Sequence, residues 1–254
     1  MMKHDNKKLI VANWKMNKSI LDANDFIKEF LVSLKNDPIN ICDIAICPSF
    51  HLLDFVGKKV FTENIKLGGQ DCSSFAKDYG AFTGDISATM LKDLGCEYVI
   101  IGHSERRIYN KDSNNTIKQK VINALNAGLK VILCVGETLE QRDNKTYKEF
   151  ISKMLDESLP EELVPDKVTI AYEPVWAIGT GKNASDSQIE EIHQYLYEKC
   201  LSRFAINLNI IYGGSVNLDN AKDILNIDKV YGLLIGGASL DPNKFHNIIK
   251  SIEG

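Results

Sequence analysis

The residues able to do chemistry lie in five short segments far apart along the chain: Asn13-Trp14-Lys15, Gly102-His103-Ser104-Glu105-Arg106-Arg107, Glu173-Pro174, Gly213-Gly214-Ser215 and Gly236-Gly237. They offer an amide, an ammonium, an imidazole, two carboxylates and two glycine pairs. A carboxylate and an imidazole brought to one point supply general acid/base catalysis, an ammonium steadies developing negative charge, and glycine admits close approach to the backbone. Singly, each has a bland reading: a solvated Lys or Glu, a satisfied His, a Gly-Gly turn. Gly179-Thr180-Gly181-Lys182 lacks the spacing of a P-loop. What resists the bland readings is convergence, and that depends on the elements carrying these residues.

Eight short runs rich in Val, Ile and Leu recur, each followed by a stretch of helical periodicity, as expected of parallel strands buried on both faces. They are 8–13, 43–47, 65–69, 98–102, 131–135, 168–172, 209–212 and 230–235. Ser19 suits an N-cap for a helix with Leu21, Phe26, Ile27, Phe30, Leu31 and Leu34 on its apolar stripe. Residues 186–204 read likewise, with Ile189, Ile192, Leu196 and Cys200 inward. Eight such units fill the chain without a linker, which predicts one α/β domain over 1–254, an eight-stranded parallel (β/α)8 barrel. An open doubly wound sheet would need a dinucleotide fingerprint after an early strand, and none stands there. In the barrel all strand C-termini share one rim, so the five segments meet.

With 254 residues, 44% hydrophobic and 25% charged, the chain has the composition of a folded soluble protein. A net charge of −4 with no basic block argues against nucleic acid, and no apolar run is long enough for a membrane span or signal peptide. Cys42, Cys47, Cys72, Cys96, Cys134 and Cys200 are scattered, without C-x-x-C or paired Cys/His spacing, and read as reduced thiols of a cytoplasmic protein rather than metal ligands.

Ordered along the chain are Asn13-Trp14-Lys15-Met16-Asn17, Gly80-Ala81-Phe82-Thr83-Gly84, Gly102-His103-Ser104-Glu105-Arg106-Arg107 and Cys134-Val135-Gly136-Glu137-Thr138-Leu139-Glu140. The run from Ala171 to Lys182, Tyr212-Gly213-Gly214-Ser215-Val216 and Gly236-Gly237-Ala238-Ser239-Leu240 complete them. By these motifs the sequence, from about Lys8 to the last helix, closely resembles the triosephosphate isomerase family. The resemblance implies a TIM barrel that interconverts dihydroxyacetone phosphate and D-glyceraldehyde 3-phosphate through an enediolate, without redox cofactor or metal. It makes Glu173 the base and His103 a neutral electrophile whose pKa the following helix N-terminus depresses. Lys15 and Asn13 serve the substrate oxygens, Glu105 holds Lys15, and Ser104 supports the base.

By the same resemblance the phosphate lies on the backbone of Gly236 and Gly237, with Ser215 and Gly179 closing over it. Pro174, Val175, Trp176, Ala177, Ile178, Gly179, Thr180, Gly181 and Lys182 form a mobile lid. The tip at Thr83 reaches a second copy in a homodimer, with Asp85 bridged to Arg106. Asp85 replaces a family Glu. Tyr197 and Tyr231 replace a family Arg and Asp that are expected near the lid, and their rings are expected in contact. Another phosphosugar barrel, or a barrel without catalysis acting as a binding or surface protein, are the alternatives; neither explains His103, Glu105 and Glu173 together.

Overall fold

The computed structural model describes residues 7–38, 42–164, 166–178 and 183–252. Eight strands, β1 (Lys8–Asn13), β2 (Cys42–Cys47), β3 (Ile65–Gly69), β4 (Tyr98–Ile101), β5 (Lys130–Val135), β6 (Val168–Tyr172), β7 (Asn209–Tyr212) and β8 (Gly232–Ile235), pair in sequence order, all parallel. β8 returns to β1 in register Leu9 to Gly232 and Ala12 to Ile235, closing the barrel. Closure explains one glycine: a methyl on Gly232 would lie 2.0 Å from the Leu9 carbonyl oxygen. Period-two alternation sorts the strand residues into two cores. Leu9, Val11, Ala45, Ile100, Ile132 and Ile211 fill the barrel interior, while Ile10, Ala12, Ile44 and Val99 face the surrounding helices.

The helices that cover the strands are α1 (Ile20–Asn36), α2 (Leu53–Val60), α3 (Ala88–Asp93), α5 (Asn114–Asn126), α7 (Tyr147–Ser158), α8 (Asp186–Phe204), α9 (Ala221–Asn226) and α10 (Pro242–Ser251). Two short ones, α4 (Ser104–Tyr109) and α6 (Leu139–Asp143), stand on the rim after β4 and β5. Ser19 caps α1 reciprocally with Asp22, as its spacing predicts. Phe26, Ile27 and Phe30 are buried there, Leu31 and Leu34 partly so, whereas Leu21, in the first turn, faces solvent.

Tyr197 and Tyr231 do not lie near the lid. Tyr231 precedes β8, so it stands at the N-terminal end of the strands, opposite the rim. With Tyr197, Lys8, Asn209 and Lys229 it borders a cavity of about 380 Å³. Their rings do not pair: Lys229 Nζ sits 4.9 Å over the Tyr197 ring, and Tyr231 hydrogen-bonds the Asn209 side chain. A cation on the ring face takes the place the second ring was expected to fill.

Candidate active site

β4 ends at Ile101 because Gly102 turns the chain with φ +71°, one residue earlier than the apolar run suggests. The turn sets His103 as N-cap of α4, where its Nδ1 accepts the Glu105 N–H at 3.2 Å. A neutral ring so bonded carries its proton on Nε2. That nitrogen lies 3.1 Å from Oε1 of Glu173, which follows β6. The other oxygen, Oε2, accepts the Ser104 N–H at 3.1 Å, so Ser104 supports the carboxylate through its backbone. A methyl on Gly136 would lie 1.7 Å from the Glu173 carbonyl oxygen; only glycine lets β5 and the Glu173 backbone approach this closely.

Both groups are buried, 6% and 2% exposed, and this governs their electrostatics. Burial pushes the Glu173 carboxyl up, but His103 and the Ser104 N–H outweigh it and hold the pKa below the ordinary value. Burial pulls the His103 imidazole down, but the adjacent Glu173 carboxylate outweighs that and raises it. The sequence predicts a depressed value; the reversal belongs to this arrangement, in which the carboxylate rests against the ring. A carboxylate bonded at both oxygens is a weak base, and losing those bonds in a dry cavity strengthens it.

Lys15 follows β1 in the left-handed region at φ +53°, held by its N–H on Asn13 Oδ1 at 3.0 Å and its carbonyl on Gln70 Nε2 at 2.9 Å. Its Nζ meets Glu105 Oε1 at 2.6 Å, the pairing the resemblance implies. Gln70 also donates to the Cys47 carbonyl at 2.9 Å, tying the ends of β1, β2 and β3 together. Sequence reasoning missed Gln70, although it stands directly after a strand like the other rim residues.

Asn13, Lys15, His103, Glu173, Ile178, Ser215, Gly236 and Gly237 line one cavity of about 230 Å³ at this rim. After β8 the chain turns at Gly236 into a 3-10 turn, Gly237–Leu240, and Ser239 Oγ locks it by donating to Ile235 and Gly236 carbonyls. A methyl on Gly237 would meet only open space. Ser215 Oγ donates to the Ala177 carbonyl at 2.6 Å, so its hydroxyl engages the segment expected to form the lid. Of that segment, Pro174 to Ile178 are described: Val175–Ala177 form a 3-10 turn, and Trp176 Nε1 donates to buried Glu137 at 3.0 Å. Gly179, Thr180, Gly181 and Lys182 lie outside the described residues, and with them the Gly179 contact expected with phosphate.

On the long connection after β3, Phe82 stacks on Phe75 at 4.1 Å and leaves Thr83 exposed at the tip. Arg106 does not bridge to Asp85 within the chain. Its guanidinium goes to Asp71 at 2.8 Å and Asp112 at 3.4 Å, two nearly buried carboxylates that also share Lys120 Nζ, each at 2.7 Å.

Thus a buried carboxylate, an Nε2–H donor, an ammonium and a glycine-lined turn meet in one small cavity, a set suited to proton transfer beside a bound anion. Comparison with known proteins agrees. The family model for triosephosphate isomerase matches residues 8–252. The triosephosphate isomerase of Thermodesulfovibrio yellowstonii is 45% identical over 247 residues, covering 96% of this chain and 99% of that one. That of Chloroherpeton thalassium is 45% identical over 253 residues, covering 97% and 99%. The crystal structure of triosephosphate isomerase from Bartonella henselae superposes with a TM-score of 0.88 at 36% identity, covering 98% of this chain and all of that one. The chain belongs to the triosephosphate isomerase family.

Proposed function

We propose that the rim cavity performs the family's reaction, the interconversion of dihydroxyacetone phosphate and D-glyceraldehyde 3-phosphate, with Glu173 moving the proton between the two carbons. Glu173 leaves Ser104 N–H and takes the proton α to the carbonyl. His103 Nε2–H, Lys15 and Asn13 bear the charge on the enediolate oxygens, and Glu173 returns the proton one carbon over. The phosphate lies against Gly236 and Gly237, reached by Ser215 and Gly179, and the lid from Pro174 to Lys182 keeps water from the enediolate. The observation that carries this reading is the buried Glu173 carboxylate between the His103 ring and Ser104 N–H, at the wall of a cavity that also holds Lys15 and the Gly236-Gly237 turn.

One domain over 1–254 works as a homodimer in the cytoplasm. Exposed Phe75 and Tyr79, on the same connection as Thr83, support an apolar face for a second copy, and Cys47, Cys72, Cys96, Cys134 and Cys200, buried without disulfides, support a reducing compartment. No helix among the described residues is long and apolar enough to cross a membrane. A coupled assay of glyceraldehyde 3-phosphate conversion tests the reading: the wild type turns over and Glu173→Gln loses at least about 10³ in kcat. An inactive wild type would overturn it.

A further inference from the structure

The loop from β1 to α1 carries a second lysine that the resemblance leaves without a task. Lys18 follows Lys15 closely, and both take the left-handed region, at φ +73° and +53°. For a residue with a Cβ that conformation is costly unless the surroundings hold it. What holds Lys18 is its side chain. Its partly buried Nζ lies 5.1 Å from the centre of the Trp14 ring and 4.7 Å from that of Phe26, and there it donates to the Leu240 carbonyl at 2.8 Å. Trp14 and Phe26 are themselves buried and packed edge to face at 4.9 Å, so the ammonium rests on a rigid platform. Asp22 and Asp241 supply negative charge near it.

Leu240 ends the turn Gly237–Leu240 that follows β8. The near end of this turn is locked from within: Ser239 donates to the Gly236 carbonyl from its N–H at 2.9 Å and from its hydroxyl at 2.7 Å. The far end passes straight into Asp241, which caps α10 by accepting the Lys244 N–H at 2.8 Å. All of these bonds lie within the β8–α10 segment, whereas the Lys18 bond crosses to the loop that carries Lys15. Lys15 approaches the opposite end of the same turn, for a methyl on Gly236 would lie 3.3 Å from Lys15 Cε. One short loop thus meets the turn at Gly236 through Lys15 and at Leu240 through Lys18. Lys18 is not among the residues lining the cavity, so any effect it has on substrate passes through the turn. We propose that Lys18 is a positioning residue for the phosphoryl group: it tethers the Gly237–Leu240 turn to the β1 loop, so that the Gly236-Gly237 backbone and the Lys15 ammonium stand at one fixed spacing. The inference rests on the phosphate lying against Gly236 and Gly237.

The test compares Lys18→Met and Lys18→Arg with the wild type and Glu173→Gln. It reads kcat/KM for glyceraldehyde 3-phosphate, kcat/KM for D-glyceraldehyde, which lacks the phosphoryl group, the inhibition constant of inorganic phosphate, and thermal stability. Lys18→Met keeps an apolar stem on the two rings and removes the donor. It lowers kcat/KM for the phosphorylated substrate about tenfold and raises the phosphate inhibition constant by a similar factor, while the D-glyceraldehyde reaction stays within about twofold of wild type. Lys18→Arg, which can still donate to the Leu240 carbonyl, recovers most of both losses. Should Lys18→Met fail to fold, Lys18→Gly carries the test: glycine takes φ +73° without strain, so the loop keeps its path, loses only the tether and shows the same selective loss. A wild-type phosphate inhibition constant in either folded variant, an equal loss on both substrates, or a loss confined to thermal stability overturns the proposal. In each of these cases a Glu173→Gln enzyme still crippled leaves the proposed reaction standing. Phosphate that fails to compete with substrate in the wild type removes the phosphate site, and the tether with it.

Discussion

The Lys120→Met substitution puts a number on what anchors the long connection carrying Thr83. Lys120 is 4% exposed and its Nζ lies 2.7 Å from carboxylate oxygens of both Asp71, at the root of that connection, and Asp112. Methionine fills the same space and removes the charge. Two buried carboxylates then share the Arg106 guanidinium alone, and stripping one partner from a buried ionic cluster costs about 3–5 kcal/mol. For a chain of this size that is a fall in Tm of roughly 6–20 °C. The sign of the pH dependence follows from Asp71, whose pKa is raised, with burial as the largest cause. A carboxyl with a raised folded pKa favours folding most below its unfolded value and loses that contribution as pH rises through the folded one. Without the ammonium the shift grows, so the deficit against wild type widens from pH 4 towards pH 8. Adding Asp71→Asn restores at least half of it. Differential scanning calorimetry across that range, with sedimentation to follow the oligomeric state, measures both. A loss under about 2 °C at pH 8, or one that does not vary with pH, would refute the ionic account.

Steady-state kinetics and denaturation check three further expectations. His103→Gln lowers kcat by about 10² or more through poorer polarisation of the carbonyl, whereas a change in KM alone would make His103 a binding residue. Gly136→Ala drives a methyl into the Glu173 carbonyl and lowers kcat by at least about tenfold as well as stability, and a wild-type kcat would show that the base tolerates displacement. Tyr197→Arg sets a second cation beside Lys229 and costs about 1 kcal/mol; adding Tyr231→Asp recovers the loss in a double-mutant cycle, and strict additivity would show that the two positions do not interact.

The strands and the rim were legible because apolar runs mark buried parallel strands and because a closed barrel sends every strand C-terminus to one face. Asn13, Lys15, His103 and Glu173 could therefore be assembled before any coordinates. Lys18 could not, since its meaning lies in which distant carbonyl its ammonium reaches. Gln70 carried the same positional signal as Lys15 but has an uncharged side chain, which draws no attention alone. The Tyr197 and Tyr231 error is geometric: a residue before a strand belongs to the opposite end of the barrel. The Asp85–Arg106 bridge that the resemblance implies belongs to the dimer face, and within one chain Arg106 is held by the drier Asp71 and Asp112.

The seam where β8 meets β1 has a consequence for synthesis. Lys15 leaves the ribosome early, whereas Gly236, against whose Cα a methyl would come within 3.3 Å of Lys15 Cε, follows about two hundred residues later. The pocket is complete only when the last strand docks on the first. Nascent chains that stop short of β8 carry Glu173 and His103 yet lack the Gly236-Gly237 wall of the cavity.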